Sequence, residues 1–435
     1  MSMSIFFEYL ELVEDFLWNF LGVPVIVVLG IYFSVKSGFV QVRKFPYVLK
    51  RFWGYLSYRE DEGEGVHPLM AFFACVGGCI GIGNIVAVCT AVQIGGPGAL
   101  FWVWLTALSG MMLKYGEVYL GMTFRRAVPQ GGFHGGPMFY LQQAFGSSLP
   151  SMLFCLLFCL YGVEIFQFRV VAHTMTSNFH LNEWLVVAVL LFLVVFASYG
   201  GVKRVGEISS AIIPLFLILY VGMSLWVLGH NIQKVPAILY LVLSSAFTGE
   251  GALGGAAGSA IVMVISQGVR RGAYTGDVGI GYASVIHSQS SVKEPERQAS
   301  LVIMDLFLDT FIVCTATIMM ILITDVWTLP IDASLLVQEA LSIYFPYMHF
   351  FMPLFLFLLG YSTINAYFVV GLNCADYLSP RFGRSIFYAY ALLALTAFSF
   401  VETRQAIAVM GVVGCLLLIL NCAGIFILRK KIRYF

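Results

Sequence analysis

The chain has 435 residues, of which 60% are hydrophobic and 11% charged, and its formal net charge at pH 7 is +1. A soluble domain carries about 25% charged residues, so the composition excludes a soluble globular protein and indicates an all-α polytopic membrane protein, while the near-neutral charge argues against nucleic-acid binding. Nine cysteines lie mostly inside apolar runs without a CxxC pair, which reads as small buried hydrophobes rather than a disulfide or metal framework.

Eleven apolar segments follow in order, at 16–35, 69–95, 98–124, 150–172, 183–200, 206–229, 234–266, 297–325, 348–373, 385–401 and 405–428. Most approach the roughly 20 residues that a helix needs to cross a bilayer. The first fifteen residues hold no Lys or Arg, unlike a signal peptide. Residues 40–58 are basic and aromatic (Arg43, Lys44, Trp53, Tyr55) and suit the membrane surface. The connections 268–296 and 325–347 are expected to hold short helices.

The second segment is interrupted at its centre by Gly77-Gly78-Cys79-Ile80-Gly81-Ile82-Gly83-Asn84. Glycine costs a helix roughly 1 kcal/mol against alanine, and backbone groups freed at membrane depth survive only in protein or beside a polar cavity. Freed carbonyls suit a small cation, and the N-terminus of the outgoing half-helix suits a carboxylate. The competing reading is close helix packing on small residues. A second interruption is expected in the seventh segment, at Thr248-Gly249-Glu250-Gly251-Ala252-Leu253-Gly254-Gly255.

Basic residues set the sidedness. With the N-terminus outside and the C-terminus cytoplasmic, twenty of the 24 Lys and Arg fall in cytoplasmic connections. Lys234 and Arg404 fall outside, and Lys114 and Arg169 fall within segments, as the positive-inside rule requires. Residues 1–68 then form a peripheral helix with a basic interfacial stretch. Residues 69–229 and 230–435 form two five-helix halves of opposite orientation, each beginning with its broken helix. Interrupted helices at matching positions of two halves point to a transporter site at an inverted-repeat interface.

Specific motifs sharpen this. Ile82-Gly83-Asn84-Ile85, Gly95-Gly96-Pro97-Gly98-Ala99 and Phe101-Trp102 are followed by Gly110-Met111, Lys114-Tyr115, Glu117, Gly135-Gly136-Pro137-Met138 and Gln167. Gly200-Gly201-Val202-Lys203-Arg204, Arg271-Gly272, Arg297-Gln298, Asp309-Thr310 and Cys314-Thr315 come next. Together they resemble the alanine or glycine:cation (sodium) symporter family over nearly the whole chain. The resemblance implies a leucine-transporter-type fold with five plus five inverted helices, carrying a small neutral amino acid with sodium. The chain departs from the family at Ile82, usually Thr. It departs again at Phe168-Arg169 after Gln167, and at Thr275-Gly276-Asp277-Val278-Gly279-Ile280-Gly281-Tyr282-Ala283, where the family has Ser-Asn-Glu-Ala-Gly-Leu-Gly-Ser-Ala.

Carried over residue by residue, the resemblance makes Asn84 a cation ligand beside the substrate, although an Asn there can also cap the second half-helix. A second cation position would use the carbonyls of Gly77 and Ile80 and the hydroxyls of Ser362 and Thr363, although paired hydroxyls in a membrane helix often bond back to their own backbone. For the substrate, the amides of Gly81, Ile82, Gly83 and Asn84 suit a carboxylate, and Gln167 can donate as well as accept. Carbonyls at Ala246, Phe247 and Thr248 suit an ammonium, with the Phe247 ring either walling the side-chain pocket or serving as ordinary packing. Among the charges within segments, Lys114 and Glu117 are expected to pair along one helix. Glu164 and Arg169 bracket Gln167, and Asp309 is a cation ligand or a partner for Arg169, either of which could serve charge coupling.

The functional expectation is a secondary symporter in a bacterial inner membrane that imports alanine, glycine or a similar amino acid with sodium by alternating access. It needs no organic cofactor and no obligatory protein partner. A proton-coupled permease is the alternative. A membrane enzyme would need a nucleophile–base or metal cluster, yet the seven His are scattered without HExxH spacing. A channel would need a charge ring or filter loop, and neither is found.

Overall fold

The computed structural model describes residues 3–57, 65–128, 131–248 and 257–435. Helix α1 (Ile5–Lys36) buries Trp18, Ile26 and Phe33 while exposing Phe20, Val28 and Val35 on its other side. A helix apolar all round faces protein on one side and lipid on the other. Helix α2 (Phe45–Leu56) is amphipathic, with Val48 and Tyr55 turned inward. Its Arg51 Nη1 donates to Ser300 Oγ at 3.0 Å.

Helices α3 (Pro68–Cys79) and α4 (Ala87–Gly95) flank one 3₁₀ turn at Ile82–Asn84 and are bent by 51° at the break, so the interruption expected at 77–84 is present. Helix α5 (Ala99–Thr123) is followed by a two-residue hairpin, β1 (Arg126–Ala127) with β2 (Phe133–His134), and by α6 (Pro137–Phe145). Helices α7 (Leu149–Tyr161) and α8 (Ile165–Phe179) make one span with a short interruption of its own, at Gly162–Glu164, which the apolar pattern does not disclose. Then come α9 (Glu183–Ser198), α10 (Gly201–His230), α11 (Val235–Thr248), α12 (Ala257–Thr275) and α13 (Tyr282–His287). The last elements are α14 (Pro295–Ile323), α15 (Ala333–Ser342), α16 (Met348–Leu378), α17 (Gly383–Phe398) and α18 (Thr403–Ile427).

Among the described residues six helices are long and apolar enough to cross a membrane, and the α3–α4 pair makes a seventh. Side chains expected on one side of the membrane do meet. Lys36 donates to the Arg429 carbonyl, and Arg125 to the carbonyls of Ser288, Ser290 and Val292. At the opposite end Gln93 donates to the Ile331 carbonyl and Arg404 pairs with Glu11.

The expected seventh span at 234–266 needs correction. Helix α11 starts beside the end of α14, where Lys234 Nζ reaches the Ile323 carbonyl at 3.4 Å. It finishes beside the start of α5, where Trp102 Nε1 donates to the Ala246 carbonyl at 3.0 Å. Both contacts lie at the Gln93–Ile331 end, so α11 stays there. The chain passes to the other end through α12, a loop at 276–281 and α13, and reaches Ser288 beside Arg125. Arg270 and Arg271 therefore sit within a helix that runs between the two ends, which leaves eighteen Lys and Arg in the connections of the Lys36–Arg429 end against two at the other.

Candidate functional site

Helix α3 loses its pattern at Ile80, whose ψ of 97° turns the chain out of the helix. Gly81 follows in extended backbone, and its N–H donates to Asn84 Oδ1 at 3.0 Å. The Asn84 amide nitrogen donates to Asp309 Oδ1 at 2.6 Å and to Cys314 Sγ at 3.2 Å. The other Asp309 oxygen accepts from Thr310 Oγ1 at 2.8 Å. Asn84 thus caps the break and ties it to α14, while the Ile82 N–H points at Gln167 Oε1, 3.4 Å away. A buried amide donor of this kind needs an acceptor, since leaving it unpaired costs about 1–3 kcal/mol.

Oxygens gather round the last turn of α3. Thr363 Oγ1 donates to the Gly77 carbonyl at 3.1 Å, and Ser362 Oγ lies 2.9 Å from Ser209 Oγ on α10. All three hydroxyl side chains are buried. A Cβ at Gly77 would strike Ser209 and come within 2.7 Å of Ser362 Oγ, and one at Gly81 would strike Thr363 and come within 2.9 Å of Gln167 Oε1. These two glycines are what let hydroxyls and the Gln167 amide reach the backbone.

A second break faces the first. Helix α12 ends at Thr275, and α13 begins at Tyr282 after Gly276–Gly281. Asp277 is left-handed (φ 54°) and its Oδ1 accepts from Tyr367 Oη at 2.7 Å. Helix α5 supplies the complement for both new helix ends. Lys114 Nζ donates to the Gly276 carbonyl at 2.9 Å, while Glu117 accepts the N–H groups of Gly281 at 3.2 Å and Ser284 at 3.1 Å. A cation at a C-terminus and an anion at an N-terminus are the signs the helix dipole favours. The two breaks are joined by Tyr282 Oη, which donates to the Ala74 carbonyl at 2.7 Å. Tyr274 packs beside Gly83.

Several expectations are corrected. Lys114 and Glu117 do not pair with each other. Lys114 forms an ion pair with Asp305 at 2.6 Å, with the Cys79 thiol 3.2 Å away, and Asn421 Nδ2 donates to Glu117 Oε2 at 3.1 Å. Arg169 pairs with Glu183 at 3.0 Å, since α9 brings Glu183 to it, and so does not neutralise Asp309 or Glu164. The break expected at 248–255 falls, from 249 on, outside the described residues; a break among the described residues lies later in the chain, at 276–281. Ala246, Phe247 and Thr248 are not brought to the cluster. Ala246 packs on Gly98 and Trp102, and Phe247 is 58% exposed against Phe101. Gly77, Ile80, Gly81, Ile82, Gly83, Asn84, Gln167, Ser362, Thr363 and Asp309 do lie around the first break. Glu164 lies just before Gln167 in the α7–α8 interruption, with φ 53°, buried, and its Oε2 without a partner among the described residues. The segment pattern does not disclose Ser209 or Tyr274, and it leaves 276–281 in a connection, although the family resemblance points to 275–283. The signal for Ser209 is the Ser209-Ser210 pair in an apolar helix, and for the loop it is the run of Gly276, Gly279 and Gly281.

The profile described as the sodium:alanine symporter family matches residues 3–434. An uncharacterized transporter, YflA, of Bacillus subtilis (strain 168) is 31% identical over 98% of this chain and 92% of its own. The sodium/alanine symporter AgcS of Methanococcus maripaludis is 28% identical over 95% of each. Among solved structures, MhsT in complex with L-phenylalanine superposes with a TM-score of 0.58 at 15% identity, over 82% of this chain and 89% of that one. That likeness concerns the fold, which is of the leucine-transporter type with broken helices. The match across the chain and the paired breaks give one conclusion: this is a polytopic membrane transporter, not an enzyme, and it belongs to the sodium:alanine symporter family as a secondary transporter.

Proposed function

We propose that the chain imports a small neutral amino acid, alanine or glycine, together with sodium across a bacterial inner membrane by alternating access. The observation that carries this reading is the gathering of the Gly77 carbonyl with the Thr363, Ser362 and Ser209 hydroxyls beside the Gln167 amide at the first break. A cage of neutral oxygens lowers the cost of desolvating a small cation. A cation held there would replace the Thr363–Gly77 hydrogen bond, and the Ile80 carbonyl, one residue past the helix end, would complete the set. The name of the Methanococcus relative supports both alanine and sodium.

In this reading the substrate carboxylate meets the amides from Gly81 to Asn84 and the NH₂ of Gln167, replacing the bonds from Gly81 N–H to Asn84 Oδ1 and from Ile82 N–H to Gln167 Oε1. The ammonium, with Ala246–Thr248 elsewhere, goes to the unpartnered Glu164 oxygen. The chain crosses the membrane eleven times, with residues 1–68 peripheral and 69–229 and 230–435 as the inverted halves. Its seventh crossing is 257–287, the N-terminus is outside and the C-terminus cytoplasmic. Proton coupling is the second reading, favoured by the buried Asp309 carboxylate on Asn84. Uptake of labelled alanine and glycine into proteoliposomes decides between them. A sodium gradient at equal pH should drive accumulation; accumulation driven equally by a pH gradient without sodium would sink the sodium assignment.

A further inference from the structure

A cavity of about 580 Å³ lies between α1, α4, α12 and the start of α18, at the Gln93–Ile331 end of the bundle. Its rim is at the surface, where the Arg404 side chain is 78% exposed. Its inner wall is α12, where Arg271 and Gln267 stand one helical turn apart and so share a face. Arg270, next in sequence, is held at 2.8 Å by Asp15 and at 3.5 Å by Glu14 of α1. Arg271 differs. It is 8% exposed, and no hydrogen bond or ion pair of its guanidinium is found among the described residues, its Nε being buried without a partner. Gln267 is 6% exposed, and its Oε1 is likewise buried without a partner.

A buried guanidinium N–H without an acceptor, here Arg271 Nε, and a buried carbonyl without a donor, here Gln267 Oε1, are both costly. Here they lie side by side on the wall of one cavity. A guanidinium offers a planar fork that matches a carboxylate, and an amide oxygen accepts from an ammonium. The spacing of one turn fits the two ends of an α-amino acid head group. Arg271 also lies four residues before Thr275, where α12 gives way to the second break. Tyr274, which packs beside Gly83, lines a smaller pocket together with Arg270 and Arg271.

We propose that Arg271 and Gln267 form a vestibule subsite that takes the zwitterionic head of an amino acid before it reaches the helix breaks, carboxylate on the guanidinium and ammonium on the amide oxygen. The subsite rests on the transport reading above. Glu14 and Asp15 contact Arg270 directly; Glu14 also acts on Arg271 through space but makes no hydrogen bond to it, which leaves the Arg271 fork open to a carboxylate.

The test is initial-rate uptake of labelled alanine by the full chain in proteoliposomes, for the parental protein, Arg271→Gln and Gln267→Leu. Arg271→Gln should raise the KM for alanine about ten- to hundred-fold and Gln267→Leu by less, while the rate at saturating alanine and the half-saturating sodium concentration stay parental. A parental KM in Arg271→Gln overturns the subsite. So does a KM rise accompanied by a lower saturating rate and shifted sodium dependence, because Arg271 would then be supporting the α12 break. Should Arg271→Gln not be recovered folded, Gln267→Leu is read by the same two criteria. A parental protein that takes up no alanine overturns the substrate reading and the subsite together, an outcome distinct from both.

Discussion

Asp305 of α14 holds the Lys114 ammonium of α5 at 2.6 Å, with both side chains fully buried. The same ammonium reaches the Gly276 carbonyl, so a single ion pair joins α5, α14 and the second helix break. Two thiols, Cys75 and Cys79, gather at the same Asp305 oxygen.

Removing one member of this pair should cost far more than removing both. Lys114→Met leaves a buried carboxylate without its cation, a loss of about 3–5 kcal/mol. Lys114→Met with Asp305→Leu should recover much of that, because apolar replacement of a buried pair is often neutral or better. Thermal unfolding in detergent measures both. The double variant should still transport poorly, since the Gly276 carbonyl has lost its donor. Equal stability of the single and double variants would mean that Asp305 left without its cation is not what destabilises the single variant.

Gln167→Ala should weaken amino-acid binding. A buried carboxylate loses a donor at about 1–3 kcal/mol, which corresponds to roughly ten- to hundred-fold in affinity. Labelled alanine binding at matched protein levels is the measurement. Unchanged affinity would reduce Gln167 to a packing partner of the Ile82 amide.

Thr363→Ala should raise the sodium concentration for half-maximal uptake, with less effect at saturating sodium, and Thr363→Ser should be mild because the hydroxyl is kept. Carbonyls and hydroxyls do not titrate near neutrality, so this sodium dependence should change little with pH. If Thr363→Ala leaves sodium dependence at the parental value, the cation is held elsewhere, and Asp309 becomes the residue to test.

Glu164→Gln keeps the shape of the side chain and removes its charge. It should lower affinity for alanine about ten-fold or more if the carboxylate receives the ammonium. Competition binding by alanine against the parental protein reads this directly. Parental affinity would return the ammonium to backbone carbonyls.

Sidedness can be read with reporters. One fused after Phe435 should report the cytoplasm and one within α15 the outside. Both on one side would break the eleven-crossing map, whatever the fate of α11.

Composition alone made this a polytopic membrane protein, and the glycines from Gly77 to Gly83 placed the first break, because the helix cost of glycine and the reach of a bilayer are local properties of the chain. The Lys and Arg distribution likewise sorted the connections into two ends that the structure brings together as Lys36 with Arg429 and Gln93 with Ile331. The second break was not decidable this way. Residues 248–255 and 276–281 are both rich in glycine, and by local preference either can interrupt a helix. What marks 276–281 is tertiary packing: Lys114 and Glu117 of α5 are positioned to satisfy the carbonyl and amide ends left open there. The partners of the buried charges were hidden for the same reason. Lys114 meets Asp305 and Asn84 meets Asp309 across about two hundred residues of sequence. A side chain three positions away on the same helix, such as Glu117 from Lys114, is the only partner that sequence spacing can suggest.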